Sequence, residues 1–193
     1  MTSDESEMSE QYIHQRLLPN AQCLELRDTS TIDLVVIHCT ELPDLAMARS
    51  YGERILYPAS GTGNSGHYYI DRDGLIEQWV PLNRIAHHVH GFNAHSIGIE
   101  LVNLGRYPNW LDTASQEMTE PYTQRQLDSL VGLLHFLSAA LSKLQWITGH
   151  DLLDTKMVPA SDKPVEWVFR KKDPGPHFPW DNVLDNLRLM PYL

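Results

Sequence analysis

The sequence predicts a mixed α/β domain with a central, mostly buried β-sheet flanked by helices. Three kinds of pattern predict it: short runs rich in β-branched residues, a long apolar pattern at helical spacing, and turn signals between these elements. The chain has 193 residues, of which 42% are hydrophobic, so it can bury the core of one ordinary domain.

The first part of the chain predicts a tail, a strand and a helix. Residues 1–10 are mostly polar and acidic, so we expect a flexible tail there, followed by a single domain over residues 11–193. Residues 32–38 are rich in β-branched side chains and too few for a typical helix, which predicts an interior strand ending at His38. Residues 43–56 have a helical pattern with Pro43 at its start.

The central part of the chain predicts a hairpin and a second interior strand. Two β-rich runs flank Asp73 and Gly74, a strong signal for a tight hairpin turn. Residues 96–102 form another apolar run, but Glu100 lies in its middle. A buried carboxylate is unfavourable unless it is paired or hydrogen-bonded, so Glu100 requires an explanation.

The last part of the chain contains the clearest helical pattern. Thr123 and Gln126 have capping-box spacing, and apolar residues follow at helical intervals as far as Leu144. Residues 146–150 predict a short strand ending at His150, and residues 151–170 predict a loop. The prolines at positions 174 and 176 exclude regular structure there, and a last helix is expected near Trp180.

The composition excludes several classes of partner. A net charge of −10 counts against nonspecific binding of nucleic acid, which depends on clustered lysine and arginine. The chain has no apolar stretch long enough to span a bilayer and no signal-peptide pattern, so we expect a cytoplasmic protein without membrane contact. Cys23 and Cys39 are too few for a disulfide scaffold and lack the spacing of a cysteine-based zinc site.

A small set of residues indicates metal chemistry. His38 and His150 at strand ends, Asp173 in a Pro/Gly turn and Glu100 in a buried strand are the ingredients of a catalytic zinc site. Each alone is a weak signal, because such histidines more often pack in the core and a buried glutamate more often pairs with a cation. Lys171 alone could equally be a solvated charge. Their joint occurrence favours the metal site.

Five segments occur in an order that resembles one family, the type 2 N-acetylmuramoyl-L-alanine amidases, which are relatives of the peptidoglycan recognition proteins. The resemblance extends from about Ile32 to Trp180. The segments are Val-Val-Ile-His-Cys-Thr (35–40), Gly-His-Tyr-Tyr-Ile-Asp-Arg-Asp-Gly (66–74), Ser-Ile-Gly-Ile-Glu (96–100), Ile-Thr-Gly-His (147–150) and Lys-Lys-Asp-Pro-Gly-Pro (171–176).

This resemblance implies an amidase/peptidoglycan recognition protein-like fold and a role for each candidate residue. It implies one Zn²⁺ per chain, with His38, His150 and Asp173 as ligands. It also implies Glu100 as the catalytic acid/base and Lys171 as the group that stabilises the oxyanion. The reaction would be hydrolysis of the amide bond between N-acetylmuramic acid, or its anhydro form, and L-alanine in peptidoglycan or muropeptides.

The same resemblance suggests His88, Asn93 and Tyr68 as substrate-binding residues. Family members often have Trp-His-Ala-Gly before the Ile-Gly-Ile-Glu strand, whereas this chain has Ala-His-His-Val-His-Gly at residues 86–91. His88 aligns best with the family histidine. The segment between His150 and Asp173 is longer than is common in the family, and Cys39 follows His38 where an aromatic residue or histidine is common.

Two other functions stay open at this point. One is a non-catalytic module that binds peptidoglycan, and the other is a zinc peptidase acting on the stem peptide, although the sequence has no His-Glu-x-x-His pattern. Within the amidase interpretation, the substrate could be a soluble anhydro-muropeptide, as for a recycling enzyme, or intact peptidoglycan, as for a phage endolysin. The sequence leaves the oligomeric state open.

Overall fold

A computed structural model describes residues 13–185 and 187–192, so the tail expected at residues 1–10 lies outside the described residues. The strands are β1 (Ile13–Gln15), β2 (Leu34–Cys39), β3 (Tyr68–Ile70), β4 (Ile76–Gln78), β5 (Ser96–Leu101), β6 (Trp146–Gly149), β7 (Met157–Pro159), β8 (Trp167–Phe169) and β9 (Met190–Pro191). The α-helices are α1 (Leu45–Gly52), α2 (Gln124–Ala140), α3 (His150–Leu153) and α4 (Trp180–Leu184).

Seven of the strands form one sheet in the order β1-β4-β3-β5-β2-β6-β9. All neighbouring pairs are parallel except β3 and β4, which form an antiparallel hairpin. The interior strand β2 is buried at every residue, as expected for a parallel strand covered on both faces. The predicted mixed α/β architecture with a buried central sheet is therefore confirmed.

The two faces of the sheet pack against different elements. On one face, Val35, Ile37 and Cys39 of β2 belong to the same apolar cluster as the buried leucines of α2. On the other face, Tyr69 and Trp79 pack with apolar residues of α1. Because side chains alternate along a strand, His38 projects to the face opposite α2. This alternation decides which residues can share a site.

The register of β2 and β5 brings two of the candidate residues together. These strands pair in parallel with His38 opposite Glu100. Ile99 and Leu101 belong to the cluster beneath α2, so Glu100 between them projects to the same face as His38. The buried carboxylate thus lies on the side of the sheet that carries the histidine.

The capping box and the hairpin that the sequence predicts are both present. The Thr123 hydroxyl accepts from the Gln126 N–H, and the Gln126 side chain accepts from the Thr123 N–H, each at 3.1 Å. Gly74 has a φ of 90°, a value that suits glycine at the turn between β3 and β4. A capped start and an apolar stripe explain why α2 is the longest described helix.

Two predicted elements differ from the structure. The helix expected over residues 43–56 ends at Gly52, and Ile55 and Leu56 beyond it are 49% and 51% exposed. The loop expected over residues 151–170 instead contains the antiparallel hairpin of β7 and β8. Its inner face has Val168, which is 7% exposed, while Trp167 and Phe169 on its outer face are 59% and 46% exposed.

A buried arginine forms hydrogen bonds that connect this hairpin to the rest of the domain. The Arg106 guanidinium donates to both carboxylate oxygens of Glu41, at 2.6 and 3.0 Å. It also donates to the carbonyls of Phe169 and Arg170, at 2.9 and 3.2 Å. Arg106 therefore holds the backbone that leads directly into Lys171.

Within the described ranges, 13–185 and 187–192, no helix is both long and apolar enough to span a bilayer.

We expect Arg106→Met to lower the free energy of unfolding by about 3–5 kcal/mol, because it leaves the Glu41 carboxylate buried without its cation. Urea unfolding followed by circular dichroism measures the change. Lys163→Met is the matched control, since its ion pair with Glu166 is exposed and contributes at most about 1 kcal/mol. Similar losses for both variants would show that the buried pair does not anchor the hairpin.

Candidate active site

An open cleft of about 530 Å³ lies on the sheet face opposite α2. It is at the carboxyl ends of β2, β5 and β6, where ligands commonly bind in parallel sheets. Its lining is rich in residues that ionise or donate hydrogen bonds. These include His38, Tyr69, His88, Asn93, Glu100, His150, Arg170, Lys171 and Asp173.

Three of these residues converge at the floor of the cleft. His38, His150 and Asp173 are at most 3% exposed, and each offers a ligand atom within 4.8 Å of the others. Asp173 Oδ2 is 2.9 Å from His38 Nδ1 and 3.0 Å from His150 Nδ1. Ligand atoms bound at ~2.0–2.1 Å to a tetrahedral zinc ion would lie about 3.3 Å apart, so these two separations are close to those of a zinc site.

The chemistry of this cluster fits a divalent cation. Asp173 Oδ1 and His150 Nε2 are buried and have no hydrogen-bond partner among the described residues, which is unfavourable for polar atoms. Burial alone would raise the pKa of Asp173, but His150, His38 and Lys171 hold that pKa well below its usual range. Burial lowers the pKa of His38 to about 4. An ionised carboxylate beside neutral imidazole is the nitrogen and oxygen donor set that zinc prefers.

Backbone contacts fix the turn that carries Asp173. The Asp151 N–H at the start of α3 donates to the Asp173 carbonyl at 2.9 Å. The Tyr122 hydroxyl donates to the Pro174 carbonyl at 2.7 Å. These bonds hold Asp173 against His150, although a long segment separates the two residues in sequence. The hairpin of β7 and β8 belongs to that segment.

Glu100 lies beside the metal-ligand cluster. Its Oε1 is 4.0 Å from His38 Nδ1, and its side chain is 15% exposed. Burial, followed by the nearby Asp173 carboxylate, raises the pKa of Glu100 to about 8. Gly66 leaves room for it, because a Cβ atom at that position would lie 2.9 Å from Glu100 Cγ. The carboxyl group therefore reaches the cleft with a strong affinity for a proton.

Only one of the two consecutive lysines lines the cleft. Lys171 contributes to its wall and, as a nearby cation, lowers the pKa of Glu100. The Lys172 amine instead donates to the Gln116 carbonyl at 2.6 Å. Arg170 also lines the cleft and forms an ion pair with Asp154. Lys171 is thus the cation of the cleft wall that acts on Glu100.

The candidate substrate-binding residues have different positions. His88 and Asn93 line the cleft. Asn93 Oδ1 accepts from the backbone N–H groups of His88 and Val89, at 3.0 and 2.8 Å. Tyr68 does not line the cleft; it packs in the apolar cluster beneath α2. Because side chains alternate along β3, Tyr69 is the tyrosine that reaches the cleft, and this corrects the expectation for Tyr68.

Sequence reasoning missed Tyr69. Its ring stacks on Trp79 with centroids 3.4 Å apart, and its hydroxyl accepts from the Gly66 N–H at 3.1 Å. The only signal in the sequence is the alternation of side chains along the strand. That signal is ambiguous for two adjacent tyrosines, since both have the same propensity for strands.

Comparison with known families agrees with this geometry. A family model described as N-acetylmuramoyl-L-alanine amidase matches residues 28–176, which is most of the chain. The chain belongs to this amidase family. The match includes every candidate ligand and both candidate catalytic residues.

Proteins similar to this chain include a phage protein and proteins of known structure. The endolysin of Enterobacteria phage K11 is 29% identical over 102 residues, a match covering 53% of this chain and 62% of the endolysin, less than two thirds of its length. A selenomethionine derivative of AmpD has a TM-score of 0.64 at 23% identity, covering 97% of this chain and 99% of that one.

A third similar protein was solved with a ligand. AmiD from E. coli, in complex with the substrate anhydro-N-acetylmuramic acid-L-Ala-D-γ-Glu-L-Lys, has a TM-score of 0.59 at 24% identity. The similarity covers 81% of this chain and 57% of AmiD. At such identities these structures establish a shared fold, which confirms the fold that the sequence resemblance implied.

Proposed function

We propose that this chain is a zinc-dependent N-acetylmuramoyl-L-alanine amidase. The observation that carries the proposal is the convergence of His38, His150 and Asp173 within 4.8 Å at the floor of a cleft, with Glu100 beside them. Family membership supports the identity of the bond that is hydrolysed, which is the amide between N-acetylmuramic acid and L-alanine. In the proposal the whole of residues 11–193 forms the catalytic domain.

In this proposal His38, His150 and Asp173 hold one Zn²⁺ per chain. When bound, the ion would supply Lewis-acid chemistry, making water a better nucleophile near neutral pH and polarising the substrate carbonyl. The three side chains come from β2, α3 and the Asp-Pro-Gly turn. Rigid elements of this kind suit a catalytic site because they keep the ligand geometry fixed while one side stays open.

We assign Glu100 the role of general acid and base. Its carboxylate accepts a proton from the attacking water and delivers that proton to the alanine nitrogen as the amide bond breaks. A pKa of about 8 in the protein alone supports this role, because the carboxyl group can hold a proton near neutral pH. A cation bound nearby would lower this pKa and favour the carboxylate needed for the first step.

Lys171 and the cleft wall complete the proposed mechanism. Lys171 would stabilise the negative charge that develops on the carbonyl oxygen, and its position on the cleft wall supports that role. For the substrate we propose contacts at His88 and Asn93, with Tyr69 in place of Tyr68. Both ring nitrogens of His88 already contact His38 and Ser96, so we propose that a substrate contacts the ring carbons of this side chain.

A non-catalytic binding module and a stem-peptide peptidase are the competing functions. A module that only binds would have no need of a buried glutamate with a raised pKa next to three metal ligands. A peptidase would cleave between amino acids of the stem. Mass spectrometry of the products separates all three, since only the amidase releases the intact stem peptide with a free alanine amino group.

Among possible substrates we propose soluble anhydro-muropeptides, which the protein would hydrolyse in the cytoplasm. The AmiD complex contains such a compound, whereas the phage relative is an endolysin, so both substrate classes have a precedent. Turnover should be compared on a purified anhydro-muropeptide and on intact sacculi. Faster release of peptide from sacculi would reject the recycling substrate and favour the endolysin role.

We expect the purified protein to contain about one zinc ion per chain, because three protein ligands and an open fourth position make a complete catalytic site. Chelation should abolish amide hydrolysis, and added zinc should restore it. Elemental analysis and an activity assay before and after chelation measure both quantities. Full hydrolysis by protein that contains no zinc would reject the metal-dependent mechanism.

A further inference from the structure

We propose that Arg27 is a positioning residue that holds one wall of the substrate cleft in place. This wall is formed by residues 82–96, which we call the wall loop. The inference rests on the proposed function and deepens it, because it concerns how the same cleft holds a substrate. Arg27 precedes residues 28–176, which match the family model, so its role is inferred from its contacts alone.

The wall loop lies between β4 and β5 and contributes five residues to the lining of the cleft. Two of them, His88 and Asn93, are the proposed substrate contacts. A long loop opens easily unless tertiary contacts fix it, so the shape of this wall depends on what holds the loop. The five lining residues are His87, His88, Val89, His90 and Asn93.

Arg27 joins the two ends of the wall loop. Its Nε donates to the Leu82 carbonyl at 2.7 Å, and its Nη1 donates to the carbonyls of Ser96 and Asn93, at 2.7 and 3.1 Å. A guanidinium presents its donors as a rigid fork, so one side chain can bind carbonyls from both ends of the loop. Burial lowers the pKa of Arg27 to about 10, so the group stays charged at neutral pH and its hydrogen bonds are charge-assisted.

The neighbouring structure fixes Arg27 itself. Its backbone N–H donates to the Asn83 carbonyl at 3.0 Å, and the Ile85 N–H donates to the Glu25 carbonyl at 2.8 Å. Its Nη2 lies 2.8 Å from Nε2 of His67, a fully buried residue directly before β3. The guanidinium therefore has a defined position between the wall loop and the sheet.

Asn93 transmits this constraint to the cleft. Its carbonyl accepts from Arg27, while its side-chain Oδ1 accepts from the N–H groups of His88 and Val89, at 3.0 and 2.8 Å. Val89 is 3% exposed, so the turn is packed as well as hydrogen-bonded. Arg27 does not line the cleft, and it acts on His88 and Asn93 through the backbone.

Loss of the Arg27 side chain should free the wall loop and leave the metal ligands in place. The carbonyls of Leu82 and Ser96 would lose their shared donor and would regain partners when the loop opens to water. The three proposed metal ligands lie outside the wall loop. A substrate that binds only the closed loop would then find a smaller competent fraction of the protein, which raises KM without lowering kcat.

Hydrogen exchange tests the constraint without any substrate. In Arg27→Met we expect the backbone amides of His88 and Val89 to exchange roughly 10-fold faster, because the charged donor that closes the loop is gone. The amides of β2 should keep their exchange rates, which shows that the variant is folded. Unchanged exchange at His88 and Val89 in a folded Arg27→Met protein would overturn the proposal.

Steady-state kinetics on a muramoyl-peptide provide the second test. Arg27→Met should raise KM roughly 10-fold, with kcat within about twofold of the unmutated value and zinc content unchanged. A general loss of packing would not separate KM from kcat in this way. A fall in kcat with unchanged KM, or a loss of zinc, would place the effect at the metal ligands and overturn the proposal.

Arg84→Met is the matched control for both measurements. It also removes a guanidinium, but Arg84 donates to the Leu24 carbonyl at 2.8 Å, at one end of the wall loop only. We expect exchange at His88 and KM to stay near the values of the unmutated protein. An effect equal to that of Arg27→Met would contradict the specific role of Arg27.

Arg27→Lys keeps the test available if Arg27→Met does not fold. Lysine retains the charge but replaces the fork by a single ammonium, so the same changes should appear to a smaller extent. Exchange and KM identical to those of the unmutated protein would contradict the proposed bridge. Because exchange is measured without substrate, failure of the amidase proposal is seen separately, as absence of hydrolysis by the unmutated protein.

Discussion

Glu100→Gln is expected to retain its zinc while turnover on a muramoyl-peptide falls by roughly two to four orders of magnitude. Glutamine has the size and shape of glutamate but cannot accept a proton from the attacking water. Its side chain would still fit beside Gly66 and 4.0 Å from His38, so the metal ligands should not move. Zinc content, thermal midpoint and turnover of the single variant are the three measurements.

Glu77→Gln is the matched control for this variant. Glu77 is also buried, but it accepts from Arg16 and the Trp79 indole and does not line the cleft. Its substitution should change stability and leave turnover per folded molecule unaltered. If Glu100 were only a structural partner of a cation, Glu100→Gln would resemble this control, with a loss of about 3–5 kcal/mol and near-normal turnover.

His38→Ala and His150→Ala are expected to lose zinc and activity together. Each removes one of three protein ligands, so the loss of turnover should at least equal the two to four orders of magnitude expected for Glu100→Gln. Added zinc should raise the thermal midpoint of the unmutated protein by mass action but not that of either variant. Elemental analysis, thermal unfolding with and without zinc, and turnover test this.

His95→Ala is the control for the histidine variants. His95 precedes β5 and contacts Asp33 at 2.7 Å, outside the cleft. Its loss should leave zinc content and turnover unchanged. Full activity in His38→Ala or His150→Ala would remove that histidine from the ligand set.

The sequence predicted the elements whose signals are local. Five apolar residues around His38 mark β2, and the side chains of Thr123 and Gln126 specify the start of α2. His38 and Glu100 could be picked out because polar groups are costly inside buried strands. Their proximity, in contrast, depends on the parallel register of β2 and β5, which no local pattern determines.

Features that depend on tertiary contacts could not be predicted. The strands β7 and β8 have only three residues each and include Pro159, so their pattern resembles a loop, and Arg106 from a distant segment stabilises them. The cleft position of Tyr69 instead of Tyr68 follows from which face of β3 meets α2. Arg27 gives no signal at all, because an arginine of this kind becomes informative only when its partners are known.

Hydrolysis of an N-acetylmuramoyl-tripeptide in heavy-oxygen water tests directly whether this protein is a zinc-dependent amidase. Zinc-loaded protein is expected to release the intact tripeptide with a free alanine amino group, and one heavy oxygen is expected to enter the lactyl carboxylate of N-acetylmuramic acid. Chelated protein should produce neither. Heavy oxygen in a carboxylate of the peptide, with N-acetylmuramic acid still joined to L-alanine, would contradict the amidase proposal, as would recovery of unchanged substrate from zinc-loaded protein.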